Sequence, residues 1–278
     1  MEHVLQTCKD TNNLVLLDRV HFMSMNIIGV LGTGNYSVVY KLLLDDSIYA
    51  LRISTASRRH FEAELNISCT INDLRVYTNS LQSVRYFAYF DNDIKEMLQY
   101  YLKRYGGDYT HSILEHDGKY FALVTDIIQG IGYPTLNSDD EIDFVFEIFM
   151  AIYVLNSHNI AHGDLHVGSI GYTITDVKRS YRINGKSFLV KSEYMPILFD
   201  YGNSYYINDS KEIYSMLEDH TQITKLLDYK DLDIILYAKN VKDFGKIFIR
   251  NIFKNIRHRK LESRGEYVTF FKEINVRY

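Results

Sequence analysis

The stretch from Asn26 to Leu51 constrains the fold most, because apolar runs and turn residues alternate there at a spacing that suits short paired strands. Asn26-Ile27-Ile28-Gly29-Val30-Leu31 leads into a turn from Gly32 to Tyr36. Ser37-Val38-Val39-Tyr40 follows, and an Asp45-Asp46 turn precedes Ile48-Tyr49-Ala50-Leu51. Three antiparallel strands are expected. Arg58 to Leu74 then carries Phe61, Leu65, Ile67, Ile71 and Leu74, a helical pattern. Tyr120 to Ile128 is an apolar-rich run of the kind found in buried strands, and Gln129-Gly130-Ile131-Gly132-Tyr133-Pro134 breaks it. The chain is therefore expected to divide at about residue 129.

Beyond that break, Asp140 to Ser157 repeats Ile142, Val145, Phe146, Phe149, Ile152 and Tyr153 at helical spacing, with acidic residues in its first turn. Residues 171–199 are expected to form short strands around an Asn184-Gly185 turn, and the chain from Asp209 onward reads as mostly helical. A net charge of -4 over 278 residues argues against nucleic acid or an anionic membrane as the main partner. Met1-Glu2-His3-Val4 opens no secretory signal pattern, and no run of about 18 apolar residues occurs, so no membrane insertion is expected. Cys8 and Cys69 are too few for a disulfide framework or a metal cluster, which favours a reducing, cytoplasmic compartment.

Four motifs carry chemistry. Gly32-Thr33-Gly34-Asn35-Tyr36-Ser37-Val38-Val39-Tyr40 lies between two expected strands, where glycine lets backbone approach phosphate oxygens and Val39 can cover a purine. A strand and not a helix follows, which excludes a dinucleotide-binding turn; an ordinary glycine hairpin is the plain alternative. Ala50-Leu51-Arg52 puts a cation on the next strand, and the helix that follows carries two carboxylates, Glu62 and Glu64, of which Glu64 lies beside the buried face that Ile67 marks about one turn on. His162-Gly163-Asp164-Leu165-His166-Val167-Gly168-Ser169-Ile170 places a carboxylate and a hydroxyl five residues apart. Ile197-Leu198-Phe199-Asp200-Tyr201-Gly202-Asn203 is an apolar strand ending in a carboxylate.

In this order the motifs resemble the protein-kinase-like superfamily. Ala50-Leu51-Arg52 resembles the Val-Ala-Ile-Lys segment, with arginine in place of lysine. His162 to Ile170 resembles the His-Arg-Asp-Leu-x-x-x-Asn loop, with Ser169 at the asparagine, and Asp200-Tyr201-Gly202 resembles Asp-Phe-Gly. The loop is similar to those of divergent Ser/Thr protein kinases of large DNA viruses and also of aminoglycoside and choline kinases. The resemblance covers about residues 28–203 and is specific at 162–170 and 197–203.

It implies a bilobal α+β fold, with a small antiparallel β-rich N-lobe over 1–128 and a mainly helical C-lobe over 129–278. ATP with Mg2+ or Mn2+ would bind between them. Gly32, Gly34, Val39, Ala50 and Arg52 would contact the nucleotide, Glu64, or as the alternative Glu62, would orient Arg52, Asp164 would act on the attacking hydroxyl, and Asp200 with Ser169 would hold the metal. The implied activity is transfer of the ATP γ-phosphate to a protein Ser or Thr hydroxyl. A pseudokinase that binds and regulates a partner protein is the alternative raised by Arg52 and Ser169, and a small-molecule kinase is a third. Host cytoplasm or virion would be the location for a viral protein.

A literal Asp243-Phe244-Gly245 lies within the helical pattern 241–256 and is set aside for that reason. This choice leaves 36 residues between Asp164 and Asp200, assigned to an enlarged hairpin. No Ala-Pro-Glu follows. Asp231 or Asp233 could brace the loop or simply cap a helix. Residues 239–278 hold eleven Lys or Arg against four Asp or Glu, with Lys242, Lys246, Arg250 and Lys254 forming a basic stripe that suits a solvated face or an acidic partner.

Overall fold

The period-two apolar pattern around Tyr40 and Leu51 builds the centre of a sheet. β2 (Ile27–Thr33), β3 (Ser37–Leu44) and β4 (Ser47–Thr55) pair antiparallel in sequence, and Asp45 and Asp46 close the second hairpin in left-handed backbone. The computed structural model describes residues 5–10, 16–34, 36–55, 57–90, 94–105, 119–136, 138–183 and 186–207. The helical expectation from Asp209 onward, with Asp231, Asp233, the 243–245 motif and the basic stripe, lies outside the described residues, as does the Asn184-Gly185 turn.

The fold is mixed α+β, and the chain divides into two compact units. The first comprises Met1–Asn72 and Gln82–Ile128, and the second comprises Asp73–Leu81 and the chain from Gln129. Segment 73–81, expected with the first half, belongs to the second unit. Hydrogen bonding explains this: Leu198 donates its backbone N–H to the Ser80 carbonyl, and the Thr78 hydroxyl meets the Tyr181 phenol at 3.3 Å.

The first unit is a six-stranded sheet in the order β1-β5-β6-β4-β3-β2, with β1 (Leu16–Leu17), β5 (Val84–Phe90) and β6 (Tyr120–Asp126); only the β1–β5 pair is parallel. Strand alternation sends Val38, Tyr40, Leu42, Leu51 and Ile53 to one face. There they pack with Phe22 of α1 (Arg19–Met23) and with Leu98, Tyr101 and Leu102 of α3 (Lys95–Tyr105). The other face carries Phe87, Tyr89, Phe121 and Leu123 against Phe61 and Leu65 of α2 (Arg58–Leu74). Stacking of Phe61 on Phe121 at 4.3 Å centres that second core.

One expectation is overturned here. Cys8 and Cys69 form a disulfide, with Cα atoms 5.4 Å apart across 61 residues. Two cysteines suffice because Gln6 pairs with Phe87 through both backbone hydrogen bonds, which brings the N-terminal segment back to the sheet near α2.

The second unit is organised around α4 (Ser138–Ser157) and small sheets: β7 (Gly130–Ile131), β9 (Ile170–Ile174) and β12 (Tyr194–Leu198) form one, β8 (Ile160–Ala161) and β13 (Tyr205–Tyr206) another, and β10 (Arg179–Ile183) with β11 (Lys186–Val190) a hairpin. Among the described residues no helix is long and apolar enough to cross a membrane.

Candidate functional site

In the first unit four of the expected nucleotide residues, Gly32, Val39, Ala50 and Arg52, lie on a single face of the sheet. Gly32 pairs with Val39, Val39 with Arg52 and Arg52 with Leu123, a transverse row across β2, β3, β4 and β6; Ala50, two residues before Arg52, shares its face. Val39 is half-buried and Ala50 buried. A Cβ on Gly32 would meet no atom within 4 Å, and its φ lies outside the left-handed range, so the fold itself does not require glycine there. Gly34 donates its N–H to the Ser37 carbonyl at 2.8 Å and closes the turn.

Arg52 is hydrogen-bonded through Nη2 to Glu64 Oε1. The α2 periodicity turns Glu64 inward beside Leu65, whereas Glu62 is only half-buried. The far end of α2 is fixed to the sheet, because the Asn72 side chain donates to the Val84 carbonyl and accepts from the Val84 N–H. Cys69 adds the covalent tie.

In the second unit two loops are held between strand pairs. Loop 162–169 runs from β8 into β9, and loop 199–204 runs from β12 into β13; β9 pairs with β12 and β8 with β13, so both ends of each loop are tied to the other. His162 fills the gap. It is 1% exposed, and its Nε2 donates to the Phe199 carbonyl at 3.0 Å, a carbonyl being an acceptor only. Its own carbonyl accepts from the Ser204 hydroxyl at 2.7 Å, and its ring lies 5.3 Å from that of Tyr201. Burial lowers the His162 imidazole below its ordinary range, against the opposing pull of the Asp200 and Asp164 carboxylates.

Those two carboxylates, one per loop, are both exposed. Asp200 occupies left-handed backbone at φ 66° and ψ 67°, a conformation uncommon outside glycine, and its side chain does not cap the short helical turn that follows. Asp164 Oδ2 accepts from Asn203 Nδ2 at 3.1 Å. Gly163 makes that approach possible: its φ is +79°, and a Cβ there would sit 2.2 Å from the Asn203 carbonyl oxygen.

Ser169 is brought into the same loop but faces inward. It is 1% exposed; its hydroxyl accepts from the His166 N–H at 2.9 Å and lies within donating distance of the His166 and Asp164 carbonyls, at 2.9 and 3.3 Å. The His166 ring caps the turn by accepting from the Gly168 N–H. The hydroxyl is thus engaged by the backbone of its own loop.

The donor set suits a hard cation: Asp164 and Asp200 offer oxygen ligands of the type that Mg2+ and Mn2+ prefer. Among the described residues there is no group of three or more His, Cys, Asp or Glu that could hold a metal ion. The residue that sequence reading passed over is Asn203, quoted at the end of its motif and given no role. The available signal was an amide directly after Asp-Tyr-Gly in a chain whose loop lacks one at position 169. No protein-family model matches the chain, and no curated protein gives a significant sequence match.

Proposed function

We infer that this chain is an ATP-dependent phosphotransferase with a bilobal protein-kinase-like fold, transferring the γ-phosphate to a protein Ser or Thr hydroxyl. The observation that carries the reading is the pair of exposed carboxylates, Asp164 and Asp200, on two loops that His162 and two strand pairs hold together.

In this reading the first unit is the N-lobe. The open face at Gly32 gives phosphate oxygens access to backbone N–H groups, Val39 and Ala50 flank the purine, and Arg52, oriented by Glu64, holds phosphate. Asp164 receives the proton of the attacking hydroxyl while its oxygen bonds to the γ-phosphorus and the bridging P–O bond breaks, the electron pair leaving on ADP. Asp200 would hold Mg2+ or Mn2+, which when bound offsets the charge on the phosphate oxygens.

The inward hydroxyl of Ser169 favours a second reading, a pseudokinase that binds nucleotide and regulates a partner protein. Labelled ATP with Mg2+ or Mn2+ and generic protein substrates separates the two. Transfer abolished by both Asp164→Ala and Asp200→Ala supports the enzyme; metal-dependent nucleotide binding without transfer supports the pseudokinase. Absence of both binding and transfer overturns the kinase-like reading itself.

A further inference from the structure

We propose that Asn203 is a positioning residue for Asp164, supplying from loop 199–204 an amide that loop 162–169 does not offer. The inference rests on the phosphotransferase reading above, and deepens it. Three observations converge. Asn203 Nδ2 is 3.1 Å from Asp164 Oδ2, and because a carboxylate oxygen only accepts, the amide nitrogen and not its oxygen must face it. Among the described residues no protein hydrogen bond reaches the other carboxylate oxygen, Asp164 Oδ1. Ser169, the side chain five residues after Asp164, is committed to its own loop backbone and cannot also orient the carboxylate.

A carboxylate on an exposed loop rotates about its terminal bond, and a general base works only when one oxygen points at the proton it receives. Donation from Asn203 occupies Oδ2 and fixes the carboxylate plane, so that Oδ1 is the oxygen presented to the substrate hydroxyl. The arrangement is built into the backbone. Gly163 lets the Asn203 carbonyl come so close that no Cβ fits between them, while Ser204, the next residue, is anchored to the His162 carbonyl at 2.7 Å. Asn203 itself is exposed, so its side chain contributes little to the core.

The test compares wild type, Asn203→Ala, Asn203→Asp and the Asp164→Ala, Asn203→Ala double variant in steady-state phosphate transfer, with melting temperature and affinity for a non-hydrolysable ATP analogue measured in parallel. Asn203→Asp keeps the shape but replaces the donor by a repelling acceptor. Both single variants should lose about 10- to 100-fold in kcat, the range expected for a misplaced catalytic group, with KM for ATP, analogue affinity and melting temperature unchanged. In the Asp164→Ala background, where transfer is lost, the Asn203 substitution should leave analogue affinity and melting temperature unchanged. An unchanged kcat in Asn203→Asp overturns the proposal while Asp164→Ala still reports on the phosphotransferase reading; equal losses in kcat, analogue affinity and melting temperature overturn it in favour of a structural role. A wild-type protein that transfers no phosphate overturns both.

Discussion

Each unit contains a buried or partly buried arginine–glutamate pair, and the two are built differently. Arg179 and Glu147 in the second unit are 4% and 0% exposed, and the guanidinium is spent on its surroundings. Nε and Nη2 grip both carboxylate oxygens at 2.7 and 2.8 Å, Nη2 also reaches the Ser192 and Tyr194 carbonyls, and the Tyr181 phenol donates to the same carboxylate. Asp143 beside them accepts from the backbone N–H groups of Lys191 and Ser192. Burial pushes the Glu147 carboxyl above the usual carboxylate range, opposed by the guanidinium and the phenol. Arg52 and Glu64 in the first unit are 20% and 6% exposed, with the arginine in the row that begins at Gly32. A saturated buried pair fixes packing and offers nothing to a ligand. A pair whose arginine reaches the surface can hold a helix and still meet an anion.

The comparison is tested most severely at Glu147. Glu147→Ala removes the acceptor for a buried guanidinium and should cost about 3–5 kcal/mol, read by urea denaturation. Replacing Arg179 and Glu147 together by Met and Leu should recover much of that loss, because no uncompensated charge stays behind. A loss below about 1 kcal/mol, the range of an exposed pair, would remove the distinction between the two sites.

The next largest effect concerns what holds Arg52's partner in place. Glu64 and Cys69 lie on α2 about one and a half turns apart, and the disulfide closes a loop of 61 residues. Cys8→Ser should lower stability by about 2–4 kcal/mol, and a reductant should lower the wild-type melting temperature without affecting the variant. If both proteins melt alike in the absence of reductant, the tie between the N-terminal segment and α2 contributes nothing.

How much of this could be read beforehand depended on how local each feature is. The β2–β3–β4 meander, α2 and α4 were legible because one periodicity governs each and short turns, such as Asp45-Asp46, punctuate them. Arg52 and Glu64 could be matched because the family resemblance implies a carboxylate partner for Arg52 and the phase of α2 favours Glu64 over Glu62. β5, Val84-Arg85-Tyr86-Phe87-Ala88-Tyr89-Phe90, is an apolar-rich run like that of β6, and periodicity alone does not separate such a run from a buried helix segment. The parallel β1–β5 pair, the Cys8–Cys69 bond and the return of 73–81 to the second unit depend on contacts between distant segments that no local pattern announces. The Asn203–Asp164 contact was hidden for a similar reason: it needs the positive φ of Gly163, which follows from how two loops meet.

A pH dependence sharpens the contrast within the second unit, where Glu147 keeps a buried charge partner and His162 is buried through a neutral ring. The folded-state pKa of His162 lies below its ordinary value of 6.5, so below that pH the unfolded chain binds the proton first. Stability from this group is present above 6.5 and is lost as pH falls through the window beneath it, at no more than about 1.4 kcal/mol per pH unit. Urea denaturation at pH 7.5, 6.5 and 5.5 should show this slope in wild type and a flatter one in His162→Gln. Equal slopes would mean that other groups govern the acid limb.

The smallest expected change in stability is the one that bears most directly on function. Arg179→Lys should cost about 2–3 kcal/mol, because an ammonium cannot reproduce the fork that meets Glu147 and two carbonyls together. Arg52→Lys should cost about 1 kcal/mol or less, since a lysine in this partly exposed position keeps a charge opposite Glu64. If Arg52 holds phosphate, Arg52→Lys should keep nucleotide affinity within about threefold, while Arg52→Met should lose at least about tenfold, equivalent to roughly 1.4 kcal/mol. Analogue binding by calorimetry alongside urea denaturation reads both quantities. Unchanged affinity in Arg52→Met would place Arg52 with Arg179 as a packing arginine, and the difference in exposure between the two pairs would then have no bearing on ligand binding.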